Sequence, residues 1–428
     1  MFKRKSAKGA LGGTAGPLGH PVTIYLDGAP LTAEQGEPLA AALLASDKTI
    51  LARSPKLHRP RGPSCFRGGC DGCLARVDGV PNVMTCLVPA RGGERIDSQN
   101  VVGSRKADLL RVTDWFFAKG IDHHHLMAGV PGLSDVMTTV ASKIAGMGRL
   151  PSVAVAPRPA RRLEAEVVVA GGGVTGIAAA SRLRAAGLAV VLVDDGLQLG
   201  GALAGAPARA AELFARSPLA GVEVLARSVV AGCYDGELLV VTSDGDAILV
   251  RPRATVFATG AHDGALAVPG NDLPGVLSAR ALCRLVHGGI VPDGPVAIVG
   301  AGFWADELAL SLGSSPVLRI APEALVDVRG TGGVRAVTVR ESGHLAVHEV
   351  AVVALALPGA PAFELAAQAG AEVRFDPALG YVVITDDRGR AAASAGVWAA
   401  GECAGRGFDP EALHAEGERV AAAVAQSL

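Results

Sequence analysis

Seven cysteines occur in this chain, and four of them stand between residues 65 and 86. In PSCFRGGCDGCLARVDGVPNVMTC, Cys65, Cys70 and Cys73 follow C-x4-C-x2-C, and twelve residues separate Cys73 from Cys86. Short apolar runs flank Asp78-Gly79 within those twelve, so the segment can fold back as a hairpin and return the fourth thiolate to the other three. Four thiolates at this spacing predict a plant-type 2Fe-2S centre with Cys65, Cys70, Cys73 and Cys86 as ligands. A structural zinc also takes four thiolates, but zinc sites more often pair two C-x2-4-C knuckles. Gly68, Gly69 and Gly72 suit a loop wrapped closely around a cluster, where a side chain would collide with it and keep backbone N–H groups from the sulfurs. Such a centre is anionic. Arg53, Lys56, Arg59 and Arg61, just upstream, could offset its charge or dock a partner, or form an ordinary solvated face.

A second kind of chemistry starts at VVVAGGGVTGIAAASRLRAAGLAVVLVDD. Gly171, Gly173 and Gly176 form G-x-G-x-x-G directly after an apolar strand and at the head of an Ala-rich helix. Glycines there let the backbone turn and approach a pyrophosphate lying on the positive helix N-terminus. Asp194, at the end of the following strand, is placed to accept ribose hydroxyls, while Asp195 falls one residue past that strand. ATVFATGAH is a buried strand ending in a small-residue turn, and GVWAAGECAGRGFDPEALHAEGERVAAAV is a strand, a turn carrying Glu402, and a helix opening at Asp409-Pro410. The positive end of that helix could stabilise charge on the pyrimidine side of a reduced flavin, and both stretches resemble the segments that close the FAD site in two-dinucleotide-domain flavoproteins, a resemblance that implies FAD as the dinucleotide.

GPVAIVGAGFWADELALSLGSSP repeats the glycine pattern with Gly300 and Gly302, but Ala305 replaces the third glycine. The next strand, VLRI, ends in Ala321-Pro322 rather than an acid, and a hairpin follows within two dozen residues. A shortened NAD-like domain is expected, one that binds NAD(P) poorly or not at all. Cys283 and Cys403 have no neighbouring cysteine, so the redox disulfide of thioredoxin-reductase-like enzymes is absent.

The elements that must position these residues are legible in outline. VTIYLDGAPLTAE alternates around Asp27-Gly28 as a tight hairpin, EPLAAALLAS reads as a short helix, and with the cysteine loop they make a small α+β, ferredoxin-like (β-grasp) module. From Glu166 onward apolar strands alternate with Ala-rich helices, the pattern of an α/β fold with a parallel sheet covered on both faces. The expected organisation is a disordered tail at 1–20, the 2Fe-2S module at 21–104, a helical connector at 105–163, FAD-binding segments at 164–265 and 359–428, and the shortened NAD-like domain at 266–358. Trp115, Phe116 and Phe117 in the connector are expected to pack in a core or between domains. His123 to His125 read as a polar surface rather than a metal site, because adjacent side chains point in different directions. His262, beside the small-residue turn, could approach the flavin.

Composition narrows the function classes. The 428 residues include 40 basic and 41 acidic ones, with no arginine-lysine stripe, so no nucleic acid partner is expected. The start MFKRKSAKGALGG lacks an apolar h-region, and the run Val167 to Ser181 is too short for a membrane span, which together predict a cytoplasmic protein.

These segments resemble the FAD-containing α-type subunits of sarcosine oxidase, of opine and proline dehydrogenases, and of hydrogen cyanide synthase. RSPKLHRPRGPSC and DGVPNVMTCLVP resemble that family's ferredoxin-like module, while ATGAHDGALAVPGNDLPGVLSARAL and GVWAAGECAG resemble its flavin domain. The resemblance implies cluster ligands at the four cysteines above and FAD contacts at Gly171, Gly173, Gly176, Asp194, Gly260, Gly401 and Glu402. It also implies a D-amino-acid-oxidase-like flavoprotein partner that oxidises the amine. Sarcosine oxidase α chains usually lack these cysteines and add a folate-binding domain, which this sequence does not show.

Two functions follow. The first is an electron-transfer subunit of a flavin-dependent amine or amino-acid dehydrogenase or oxidase, passing electrons between the partner, FAD and the 2Fe-2S centre. The second is a self-sufficient NAD(P)H-dependent FAD and iron-sulfur reductase, supported by Gly300 and Gly302 and opposed by Ala305. No motif names the electron acceptor.

Overall fold

Val167–Ala170 and Val190–Val193 are unbroken apolar runs, and in the computed structural model they lie side by side as parallel strands with all eight residues buried. That is how a sequence reads when a strand is covered on both faces. The structure describes residues 1–5, 19–54, 58–99, 101, 104–105, 108–109 and 159–428. The expected connector lies almost wholly outside them, as do Lys56, Trp115 to Phe117 and His123 to His125. The chain divides into two compact units: Met1–Ala154 with Ala265–Ala356, and Val155–Gly264 with Leu357–Leu428.

The unit built on the first glycine loop holds a five-stranded parallel sheet, ordered Glu223–Leu225, Val190–Val193, Val167–Ala170, Ala254–Phe257, Val397–Ala399. Alternate residues serve opposite faces. Val167 and Val169 pack with Ile177, Leu183, Val420 and Val424 from the helices Val174–Ala185 and Pro410–Ser427. Val168 and Ala170 instead face Val230, Val240 and Ile248 of an antiparallel meander spanning Ser228–Tyr234, Glu237–Thr242 and Ala247–Val250. The second face is thus covered by strands where an alternation of strands with helices was expected. The reason is local: residues 228–250 alternate buried and exposed positions with a period of two. The two helices approach closely through small residues, since a Cβ on Gly417 would lie 2.3 Å from the Thr175 carbonyl oxygen.

In the other unit, the N-terminal module is a mixed five-stranded sheet ordered Ala29–Glu34, Pro21–Leu26, Arg95–Asp97, Leu74–Val77, Val80–Met84, with the buried helix Leu39–Ala45. Both predicted tight turns form: Asp27 and Gly28 have φ of 48° and 82°, and Asp78 and Gly79 have 49° and 82°, the left-handed pair a two-residue hairpin needs. Residues 265–356 share this unit rather than standing apart. They form a parallel sheet ordered Val276–Ser278, Val352–Ala356, Val296–Gly300, Val317–Ile320, followed by the antiparallel Leu325–Arg329, Ala336–Glu341 and His344–Glu349.

The N-terminal tail needs correcting at its start. Phe2–Arg4 pair antiparallel with Ile290–Pro292, and Phe2 is buried, so these residues are ordered by a partner about two thirds of the sequence away; residues 6–18 lie outside the described ones. Among the described residues, no helix is long and apolar enough to cross a membrane.

Candidate functional site

The four cysteines come together as two pairs. Cys65 donates to Cys70 across 3.4 Å, and Cys86 donates to Cys73. Accepting the hydrogen bond from the Cys65 thiol lowers the Cys70 pKa to about 6, while donation and burial push Cys65 up. The same asymmetry lowers Cys73 and raises Cys86. Charge on one pair is felt by the other, Cys70 acting on Cys73 and Cys65 on Cys86. The hairpin returns Cys86 as expected: Thr85 Oγ1 donates to the Cys73 carbonyl at 2.7 Å.

Among the described residues no three or more His, Cys, Asp or Glu side chains gather as a site for one ion. A single zinc would require four thiolates around one point. A binuclear cluster, in which each iron takes two cysteines, fits a two-by-two arrangement. Backbone N–H groups also face the sulfurs, with Gly69 donating to Cys65 at 3.3 Å. The glycines serve the path of the loop itself. Gly68 has φ of +76°, and a Cβ on Gly72 would lie 2.0 Å from the Gly62 carbonyl oxygen. The upstream arginines are largely engaged internally: Arg53 is buried and donates to the carbonyls of His58 and Arg105, and Arg61 lies 3.2 Å from Asp272.

In the first glycine loop each glycine has a separate cause. Gly171, at φ +110°, leaves no room for a Cβ, which would lie 2.2 Å from the Ala258 carbonyl oxygen. Gly176 is pressed still closer, 1.8 Å from the Gly171 carbonyl oxygen, and this seats the Val174–Ala185 helix on the strand. Gly173 differs. A Cβ there would meet nothing nearer than 3.9 Å, so the open side of the loop is kept bare where a dinucleotide phosphate would rest on the helix N-terminus.

Asp194 is buried at the end of its strand and Asp195 is exposed. The Asp194 carboxylate accepts the N–H of Gly172 at 2.6 Å and of Gly196 at 2.9 Å, so it clamps the glycine loop. Neighbouring parallel strands bring the other predicted residues to the same end of the sheet. Gly260, at φ +75°, follows Ala254–Phe257, and the Glu402 carboxylate lies 4.0 Å from where its Cβ would be. Gly401, at φ +83°, sits over Thr175, whose hydroxyl a Cβ would approach to 2.8 Å. All seven FAD candidates therefore gather at the carboxyl ends of adjacent strands, where ligands of open α/β sheets bind. His262 is half exposed and 3.4 Å from Glu364, a surface pair.

Sequence reasoning missed Glu416. It lies in the Pro410–Ser427 helix, accepts the Gly401 N–H at 3.1 Å and the Arg406 Nε–H at 2.9 Å, and holds the turn that carries Glu402. The helix start is as predicted, with Asp409 accepting the Ala412 N–H at 2.9 Å.

The second glycine loop copies part of this plan. A Cβ on Gly300 would lie 2.2 Å from the Ala356 carbonyl oxygen, and Gly302, at φ +91°, borders open space. Ala305 is fully buried in place of the third glycine.

Residues 19–101 match the 2Fe-2S iron-sulfur cluster binding domain family, and residues 165–322 match the pyridine nucleotide-disulphide oxidoreductase family. The chain is 29% identical over 404 residues to the alpha subunit of sarcosine oxidase from Rhizobium meliloti, covering 82% of this chain and 41% of that one. It is 28% identical over 309 residues to an opine oxidase subunit of Agrobacterium tumefaciens, covering 56% of this chain and 61% of the other. It thus spans about two fifths of the first relative's length. Among solved structures, L-proline dehydrogenase from P. horikoshii shares the fold with a TM-score of 0.72 at 22% identity, over 97% of this chain and 75% of that one.

Proposed function

The chain is a homologue of the sarcosine oxidase α chain and of the opine oxidase chain it matches, a flavin-dependent oxidoreductase chain with FAD and a 2Fe-2S cluster as cofactors, and from that premise we propose that it is an electron-transfer subunit. It serves a hetero-oligomeric amine or amino-acid dehydrogenase or oxidase in which a D-amino-acid-oxidase-like flavoprotein partner oxidises the substrate. The observation that carries this reading is the coexistence of paired cysteines with a dinucleotide loop whose open side is bare at Gly173.

Cys65 with Cys70 and Cys73 with Cys86 would be the two thiolate pairs that hold the cluster. Gly171, Gly173 and Gly176 cradle the FAD pyrophosphate, Asp194 holds the ribose side, and Gly260, Gly401 and Glu402 close the site. When bound, a flavin exchanges electrons in twos or singly and a 2Fe-2S cluster singly, so the pair joins two-electron substrate chemistry to one-electron transfer. The protein's part is positional: Glu416 fixes the Gly401 turn, and Asp194 fixes the glycine loop.

A second reading, a self-sufficient NAD(P)H reductase, draws on the open space at Gly302. One experiment separates the two. The chain is purified anaerobically, alone and co-expressed with a flavoprotein partner, and its iron, zinc, flavin and visible spectrum are recorded with NADH and with a secondary amine. Bleaching that requires partner and amine supports the electron-transfer role; rapid bleaching of the isolated chain by NADH makes it a reductase.

A further inference from the structure

The loop that bears the first cluster ligands is tied to the helix Ala279–His287 of the same unit. At the helix start, the Ser278 N–H donates to the Ser64 carbonyl at 3.0 Å, and the Ser278 side chain caps the helix by accepting the Ala281 N–H at 3.1 Å. Further along the helix, Arg284 donates through Nη1 to the Phe66 carbonyl oxygen at 3.0 Å.

Phe66 is buried with φ of +51°, a left-handed conformation that costs a bulky residue energy and is held only where surrounding contacts enforce it. The conformation sets the plane of the Phe66–Arg67 peptide. No peptide bond in the described structure is cis, and in a planar trans peptide the carbonyl and the N–H point in opposite directions. With the Phe66 carbonyl turned to Arg284, the Arg67 N–H faces the other way and donates to Cys65, beside the donation from Gly69.

We propose that Arg284 is a positioning residue for the cluster, whose charge is relayed through the Phe66–Arg67 peptide to the Cys65 ligand sulfur and raises the reduction potential there. The inference rests on the reading of Cys65 as a cluster ligand. A cation on the carbonyl polarises the peptide and strengthens its N–H as a donor, as in any hydrogen-bonded chain. Donation to a ligand sulfur favours the reduced cluster, which carries one more negative charge than the oxidised one. Arg284 is half-buried, so solvent screens this charge less than it would an exposed one.

The test is an EPR-monitored redox titration of the full chain with its iron counted. Wild type should hold two irons per chain and give a reduced-cluster signal. At the wild-type midpoint, Arg284→Gln with full iron should show a reduced-to-oxidised ratio about tenfold lower, equivalent to about 59 mV for one electron. Arg284→Lys should recover most of that loss, and Arg76→Gln, which removes a charge that donates to the Gly79 carbonyl rather than to the Phe66–Arg67 peptide, should stay within about twofold of wild type. An iron-replete Arg284→Gln within about twofold of wild type, or an Arg76→Gln shift as large, overturns the relay. Should Arg284→Gln shed its iron, hyperfine spectroscopy of reduced, nitrogen-15-labelled wild type decides: a coupled Arg67 amide supports the relay and its absence overturns it. A wild type without iron overturns the cluster reading as well, and the iron count tells the two failures apart.

Discussion

Glu416 Oε2 accepts the backbone N–H of Gly401 across 3.1 Å, from fifteen positions along the chain and out of a different element. Gly401 is buried just past the end of the strand it follows, and its N–H takes this side chain as its acceptor. Replacing Glu416 with Ala leaves that N–H buried without its acceptor, at a cost of about 1–3 kcal/mol. Glu416→Ala should lower the urea midpoint of the FAD-free chain and release flavin on gel filtration. Glu416→Gln, which still offers a carbonyl oxygen, should lose much less.

The roles of Gly173 and Gly176 separate stability from binding. A Cβ at Gly176 lies 1.8 Å from the Gly171 carbonyl oxygen, and overpacking of this kind costs about 1–3 kcal/mol or more. Gly173 has φ of −79° and open space on its Cβ side, so alanine is tolerated by the fold but stands where the phosphates would lie. Gly176→Ala should therefore lower the unfolding midpoint with or without FAD. Gly173→Ala should keep it in the FAD-free chain while FAD affinity, read by flavin fluorescence, falls at least about tenfold, or about 1.4 kcal/mol.

Asp194 and Asp195 are adjacent and should behave differently. Asp194→Ala removes the acceptor of both the Gly172 and Gly196 N–H groups, so it should destabilise even the FAD-free chain by about 1–3 kcal/mol in denaturant unfolding. Asp195 is exposed, and Asp195→Ala should leave stability within about 0.5 kcal/mol of wild type. Equal losses at the two positions would refute the clamp.

What was legible in the sequence was whatever is local. That Cys65 to Cys86 come together could be expected because their spacing and the Asp78-Gly79 turn lie within one short segment, and that Asp194 rather than Asp195 turns inward could be expected because a strand end sets the phase. Glycine types announced the loop at Gly171, yet the atoms that forbid a Cβ there, the Ala258 carbonyl above all, belong to a strand more than eighty residues on. Phe2–Arg4 carry too few residues for a strand pattern, and their partner Ile290–Pro292 could not be inferred without the fold. Arg284 and Glu416 have ordinary sequence contexts, and their meaning comes wholly from which backbone groups they reach, Phe66 and Gly401. The cover over the second face of the large sheet was missed for another reason: the overall alternation of strands and Ala-rich helices outweighed the period of two in residues 228–250.

His414 gives the FAD-type unit a pH dependence whose sign can be worked out. It is buried in the Pro410–Ser427 helix, with Ser217 Oγ at 2.8 Å from Nε2 and an Arg216 guanidinium nitrogen at 3.1 Å from Nδ1. A guanidinium can only donate, so Nδ1 is the acceptor, and Nε2–H donates to Ser217. Protonation would set an N–H against the guanidinium, and burial opposes the charge further; burial first and Arg216 second hold the His414 pKa below its ordinary value. The unfolded chain then binds a proton at its ordinary pKa of about 6.5 while the folded chain does not, so this stability is intact above that pH and is lost as pH falls toward the folded pKa. The loss cannot exceed about 1.4 kcal/mol per pH unit for one group. Urea unfolding of the FAD-free chain at pH 7.5 and 5.5 should show a larger drop for wild type than for His414→Gln, which keeps polar atoms at both positions but does not titrate. Equal drops in the two proteins would mean that His414 takes up its proton as readily in the fold as in the unfolded chain and that the Arg216 contact does not hold it neutral.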